Sequence, residues 1–185
     1  MGLSLLQPEQ CCLHVIDPQQ SLMAHIYEAD RVVANISLLM QCARVLKMPI
    51  LANTQYKKGL GPYVPELEEM MAGVPCPDKT EFNALANLET RTLINRLPET
   101  VTTLILVGVE THICIYQTAI GALEQGLIPW VVADGVSSRT KINYDLGLSR
   151  LAALGAIVGS AEMIIYELLG RAGTPEFKAM LPYIV

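Results

Sequence analysis

Thr103-Leu104-Ile105-Leu106-Val107-Gly108-Val109, running without a break into Glu110-Thr111-His112-Ile113-Cys114, is the stretch that decides the fold. Seven residues, nearly all apolar and rich in β-branched side chains, read as a strand. Beyond Gly108 the pattern changes to a helical one over about Thr111–Gln125. Working outward, Cys11–Asp17 is a second apolar run, ending in an acid and then Pro18, and reads as a strand buried on both faces. Between the two, Val32, Ile36, Leu39, Ala43 and Leu46 recur at helical spacing from about Asp30 to Lys47, until Pro49 stops the helix and Ile50–Thr54 opens another strand. Further helices are expected over Glu89–Arg96, 143–154 and 160–170, with strands over Ile128–Ala133 and Ala156–Val158. Strand and helix alternate, which predicts parallel strands joined by right-handed crossovers with helices on both faces. Ligands of such sheets bind at the carboxyl ends of the strands, which singles out Asp17, Asn53–Tyr56 and Gly108–Cys114.

Residues 57–78 break the alternation. Gly59, Gly61, Pro62, Pro65, Gly73, Pro75 and Pro77 fall there, leaving room for a helical turn or two around Glu66–Met71. An excursion of this length inside a compact domain is usually functional.

The chain has 185 residues, enough for one domain (1–185) with a self-sufficient core. Charged residues make up 17%, against roughly 25% in an average soluble protein, so part of the surface is expected to be covered by further copies, as a dimer or larger homo-oligomer. Net charge is −5, with no basic run beyond Lys57-Lys58, which argues against a nucleic-acid partner. No apolar stretch is long enough to span a bilayer, so no membrane association is expected. Met1 to Gln10 carries no targeting pattern, and Met1-Gly2 is followed by Leu6 where a myristoylation signal needs Ser or Thr. Five cysteines, an odd number without a spacing motif, read as reduced thiols and point to the cytoplasm.

Among those thiols, Cys11, Cys12 and Cys42 sit within apolar patterns and read as core, while Cys76 lies between two prolines as an incidental exposed thiol. Cys114 differs. With Thr111 as N-cap it would occupy the first turn of a helix, where free N–H groups and the helix dipole favour a thiolate. Asp17 ends a buried strand, a costly place for an acid unless it is paired or merely caps the turn. Lys79 taken alone is an ordinary solvated charge.

Three segments taken together make a pattern: Val15-Ile16-Asp17-Pro18-Gln19, Asp78-Lys79-Thr80-Glu81-Phe82, and Val107-Gly108-Val109-Glu110-Thr111-His112-Ile113-Cys114. In order, across nearly the whole chain, they resemble the isochorismatase-like cysteine hydrolases, a superfamily that includes nicotinamidases and carbamoyl-amide hydrolases. Thr54-Gln55-Tyr56, Gly59-Leu60-Gly61-Pro62, Val64-Pro65-Glu66-Leu67 and Asp134-Gly135-Val136-Ser137-Ser138-Arg139 are similar to the isochorismatase-domain-containing members of unsettled substrate.

The resemblance implies a three-layer α/β/α, Rossmann-like sandwich around a mainly parallel sheet of about six strands, and a metal-independent hydrolase of a small amide-like or ester-like metabolite. It implies an Asp17–Lys79–Cys114 triad. Asp17 would take the thiol proton and later activate water, Lys79 would favour the thiolate and hold the aspartate, and Cys114 would form a thioester. It further implies a cis peptide between Val109 and Glu110, with the backbone N–H groups of Glu110 and Cys114 forming an oxyanion hole. Gln19, Gln55, Tyr56 and Phe82 are expected to line the substrate pocket, with His112 nearby. No cofactor is implied. Nicotinamidases hold a metal after their second strand through Asp and His, whereas this chain has Asn53-Thr54-Gln55-Tyr56 there, so no metal is expected. A non-catalytic binding protein that keeps the fold is the competing expectation. A dinucleotide-binding reading fails because Asp17-Pro18-Gln19-Gln20-Ser21 lacks the required glycines.

Overall fold

The structure, a computed structural model, describes residues 5–184. The reading of Met1-Gly2 therefore lies outside the described residues. Six strands form one sheet: β1 (Cys11–Ile16), β2 (Ile50–Gln55), β3 (Asp78–Lys79), β4 (Thr103–Val109), β5 (Ile128–Ser137) and β6 (Ile157–Gly159). Their spatial order is β3-β2-β1-β4-β5-β6, and every neighbouring pair is parallel. Helices cover both faces, giving the three-layer α/β/α architecture.

Alternation along β1 shows how one strand serves both layers. Cys11, Leu13 and Val15 join the core under α1 (Ala29–Val45), together with residues of two later helices, α5 (Ala161–Leu169) and α6 (Pro175–Ile184). Cys12 and Ile16 point the other way, into the core formed with α3 (Tyr116–Glu124) and α4 (Lys141–Ala153), and with Ile94 at the end of α2 (Leu88–Ile94). All seven residues of β4 are buried, as a central parallel strand requires. In α1 the predicted stripe faces inward, with Val32, Ile36, Leu39 and Ala43 buried.

Several boundaries differ from expectation. β5 continues past Ala133 to Ser137, its register with β4 shifting between Leu106 and Gly108. The excursion 57–78 holds single helical turns at Lys57–Leu60 and Pro65–Glu68, the second running on into a 3-10 turn at Glu69–Met71 as expected around Glu66–Met71, before delivering β3, a strand the sequence pattern does not indicate. The sequence pattern gives no sign of helix α6 either.

Gly108 lets the two central strands close up where they end. Its φ is +115°, and a Cβ there would lie 1.9 Å from the carbonyl oxygen of Ile16. Chain direction also reverses here: β1, β2 and β3 step outward one way, and β4 returns to the other side of β1. Crevices form at such switch points, and the turns after β1 and β4 meet in this one.

Candidate active site

Asp17 follows β1 directly, in the left-handed region with φ 55°, which Asp tolerates better than most residues. Its N–H donates to Asn53 O at 3.0 Å and its carbonyl accepts from Gln19 N at 2.7 Å. The turn is clamped from the excursion side, where Gln20 N–H donates to Pro62 O and Val64 N–H to Pro18 O. The side chain of Asp17 is fully buried.

Lys79 approaches from the sheet edge, two strands away, roughly 10 Å at normal strand spacing. A long stem bridges that gap. Lys79 Nζ donates to Asp17 Oδ2 at 2.7 Å and to Gln55 Oε1 at 2.6 Å, with 0% exposure of either charged side chain. An ion pair so deeply buried persists only when geometry is good and further hydrogen bonds help; Gln55 supplies one.

Cys114 lies in a π-helical turn, Thr111–Ile115, leading into α3. Glu110 O accepts from Ile113 N–H at 3.0 Å and, across the wider turn, from Ile115 N–H at 3.2 Å. Thr111 is not the cap expected from the sequence. Glu110 is the extended residue before the turn, and Thr111 sits inside it with Oγ1 buried and unpartnered.

Cys114 is buried, at 6% exposure. Burial pushes it up to about 12, and the Asp17 charge pushes the same way, outweighing Lys79 and the backbone N–H of Glu110. The expectation of a resting thiolate is therefore corrected: a thiol stripped of water beside a carboxylate keeps its proton. Burial also raises Asp17 to about 6, opposed by Lys79 and by the facing thiol, so the carboxylate is charged at neutral pH. No conventional donor satisfies Asp17 Oδ1; the Cys114 thiol is the group coupled to this carboxylate. A buried base thus faces a buried, protonated nucleophile, with a cation behind the base.

At the other side of Cys114, the Val109–Glu110 peptide bond is cis, and the Glu110 N–H acts on the sulfur. The carboxylate of Glu110 is held away by Arg139, whose N and Nε donate to Oε2 at 2.9 and 3.1 Å. His112 turns to Ser138, Nδ1 to Oγ 2.9 Å, and partial burial lowers its pKa.

Two of the expected lining residues are engaged elsewhere. Gln19 is fully buried, its Nε2 donating to Gln55 O and Gly61 O and its Oε1 accepting from Gln55 N–H. It ties the β1 and β2 ends together and has no atom left for a ligand. Gln55 likewise accepts from Lys79 Nζ at Oε1 and donates from Nε2 to Thr80 O, so it supports the lysine. Tyr56 and Phe82 remain available, at 50% and 52% exposure. Among the described residues no group of three or more His, Cys, Asp or Glu side chains could hold a metal ion. The sequence places Asn53 within the strand-end stretch Asn53–Tyr56 without assigning it a role, and His14 gives no signal beyond membership of an apolar strand.

Known proteins resemble this chain along nearly its whole length. The family model described as "Isochorismatase domain" matches residues 11–163. A secreted isochorismatase effector, Isc1, of Phytophthora sojae is 33% identical over 96% of this chain and 86% of its own length. Isochorismatase domain-containing protein 2 of Rattus norvegicus is 31% identical over 96% and 82%. Among solved structures, the MAR1 ribonuclease of Caenorhabditis elegans superposes with TM-score 0.90 at 33% identity, covering 98% of this chain and 92% of that one. YcaC from Pseudomonas aeruginosa, with hexane-2,5-diol and covalent acrylamide, does so with TM-score 0.90 at 25% identity, covering 99% and 93%.

Proposed function

The chain belongs to the isochorismatase family, and from that premise we propose that it is a metal-independent cysteine hydrolase of a small amide-like or ester-like metabolite. One observation carries the reading: a fully buried Lys79–Asp17 pair, 2.7 Å apart, adjoins the buried Cys114 thiol. Because that thiol is protonated at rest, proton transfer accompanies attack. Asp17 takes the proton as Sγ bonds to the carbonyl carbon, and Lys79 keeps the carboxylate charged and aimed. Negative charge developing on the carbonyl oxygen meets the backbone N–H groups of Glu110 and Cys114, donors whose loss typically costs about 10²–10³ in rate. Asp17 then returns the proton to the departing amine or alcohol, leaving a thioester. Water, deprotonated by Asp17, attacks it, the acid leaves, and the proton returns to sulfur. Tyr56 and Phe82 offer apolar surface at the rim.

Covalent acrylamide on the Pseudomonas neighbour supports the presence of a reactive nucleophile in this fold. The test is mass spectrometry of the protein incubated with a metabolite mixture: an acyl adduct on Cys114 that disappears in Cys114→Ala is expected. A folded Cys114→Ala variant that turns over a substrate as fast as wild type would end the proposal, whereas an inert Cys114 across a broad amide and ester panel would favour a binding protein.

The likeness to a C. elegans ribonuclease raises a second reading, RNA cleavage. Net charge −5 without a basic run gives phosphates little to bind, which favours the small-molecule reading; RNA degraded by wild type but not by Cys114→Ala would reverse that. We also infer self-association, from the low charged fraction and exposed Ile142, Leu146, Met163 and Tyr166. A monomeric mass in light scattering would remove it. Five free thiols support a reducing compartment, and accumulation of the native protein outside the cell would overturn it. No helix among the described residues is long and apolar enough to cross a membrane.

A further inference from the structure

We propose that His14 is a positioning residue for the Asp17–Lys79 pair, acting through Asn53; the inference rests on the cysteine-hydrolase reading and deepens it.

His14 lies in the middle of β1, fully buried, on the face shared by Cys12 and Ile16. Its Nε2 is 2.7 Å from Asn53 Oδ1. Asn53 Nδ2 donates to Pro77 O at 3.0 Å and to Thr90 Oγ1 at 2.8 Å, so Oδ1 can only accept and His14 carries its proton on Nε2. Nδ1 is then a bare lone pair, buried with no donor. Burial drives the imidazole down to about 4, and nearby Lys79 pushes the same way. The ring is therefore neutral and of one tautomer throughout the working range.

From His14 the donors run in one direction. Thr90 Oγ1 passes its hydrogen to Asn87 Oδ1 at 3.2 Å, and Asn87 Nδ2 donates to Glu81 Oε2 at 3.3 Å. That carboxylate also accepts the N–H of Thr80, next to Lys79. Meanwhile the carbonyl of Asn53 accepts the N–H of Asp17 and the hydroxyl of Tyr63. One asparagine thus grips the turn that carries the base and, through Pro77 and Thr90, the segment that carries the cation. A hydrogen-bonded chain with fixed direction has one satisfied arrangement. His14 is its buried end, with Nδ1 uncommitted, and a leucine of similar bulk would suit the surrounding core. An imidazole with an unsatisfied nitrogen costs stability there, so what it contributes is a donor at a set place.

The test reads Cys114 directly. Acrylamide adduction of Cys114 is followed by peptide mass spectrometry from pH 5 to 9, in wild type, Asp17→Asn, His14→Leu, His14→Gln and Thr90→Val, with melting temperatures alongside. Gln places a donor near the position of Nε2 and should behave like wild type. His14→Leu should lower the plateau rate by about tenfold or more, since misplacing a reacting group by about 1 Å can cost on the order of 10²-fold, and should displace the midpoint of the pH step. Thr90→Val, which cuts the chain beyond Asn53, should move both in the same direction. If His14→Leu and Thr90→Val melt lower but keep the wild-type rate and midpoint, the role is merely structural and the proposal falls. If His14→Leu fails to fold, a wild-type profile in Thr90→Val overturns it equally. Asp17→Asn separates the two levels: a pH step retained in that variant sinks the hydrolase reading itself, and this inference with it.

Discussion

Replacing Lys79 by methionine removes the charge and keeps the length of the stem. Asp17 would lose the only conventional hydrogen bond to its carboxylate, at Oδ2, while Oδ1 already lacks one, with the side chain fully buried. Breaking a buried pair in this way costs about 3–5 kcal/mol, a melting-temperature loss of roughly 10 °C for a chain of this size. The cost must depend on pH. Asp17 stands at about 6 with the lysine present, and Lys79 supplies the two largest influences holding it that low. Without them burial should drive its folded-state pKa further upward, away from the unfolded value. A raised folded pKa means stability is present at low pH and lost as pH rises through that pKa. As the pH falls from 8 to 6, the variant therefore regains stability, by at most about 1.36 kcal/mol per unit, while wild type, titrating near 6, regains little. Urea denaturation of both proteins at the two pH values measures this. The double variant Asp17→Asn/Lys79→Met, neutral at both sites, should recover most of the loss at pH 8. A deficit equal at both pH values, or below about 1 kcal/mol at pH 8, would place these groups within reach of water and refute the buried-pair reasoning.

Acrylamide adduction of Cys114 in wild type should rise from pH 5 to 7 as Asp17 ionises near 6 and then level off; a rate that keeps climbing toward pH 9 would mean the thiol ionises without the aspartate's help. Gly108→Ala should not accumulate as folded protein, because the new methyl would lie 1.9 Å from Ile16 O at a φ of +115°; soluble expression with native circular dichroism would contradict this. Tyr63→Phe removes a buried hydroxyl from Asn53 O and should cost about 1 kcal/mol, readable as a melting shift, with only a small change in Cys114 reactivity.

How much of this was legible depends on what kind of signal each residue gives. Strands β1 and β4 announce themselves because burial on both faces demands unbroken apolar runs, and Asp17 and Cys114 stand where those runs stop. Lys79 is different. Its strand is two polar residues long and exists only through pairing with Thr54 and Gln55, so no local pattern reveals it; the surrounding motif did. Gln19 and Gln55 are expected at the pocket only through the family resemblance, and the folded chain satisfies both internally. The state of the thiol is equally hidden in the sequence. A helix N-terminus and a lysine both favour ionisation, but their sum against desolvation and the Asp17 charge depends on distances that no spacing conveys. His14 reads in the sequence as one more member of a strand core.

The cation serving the cleft grows from the shortest strand in the molecule, at the rim of the sheet, held by two residue pairings. Marginal strands open long before a domain melts. Loosening there would withdraw the ammonium while the inner four strands stayed intact. Heat should therefore silence the protein at temperatures where its circular dichroism is still unchanged, with Cys114 adduction failing first and bulk structure following later.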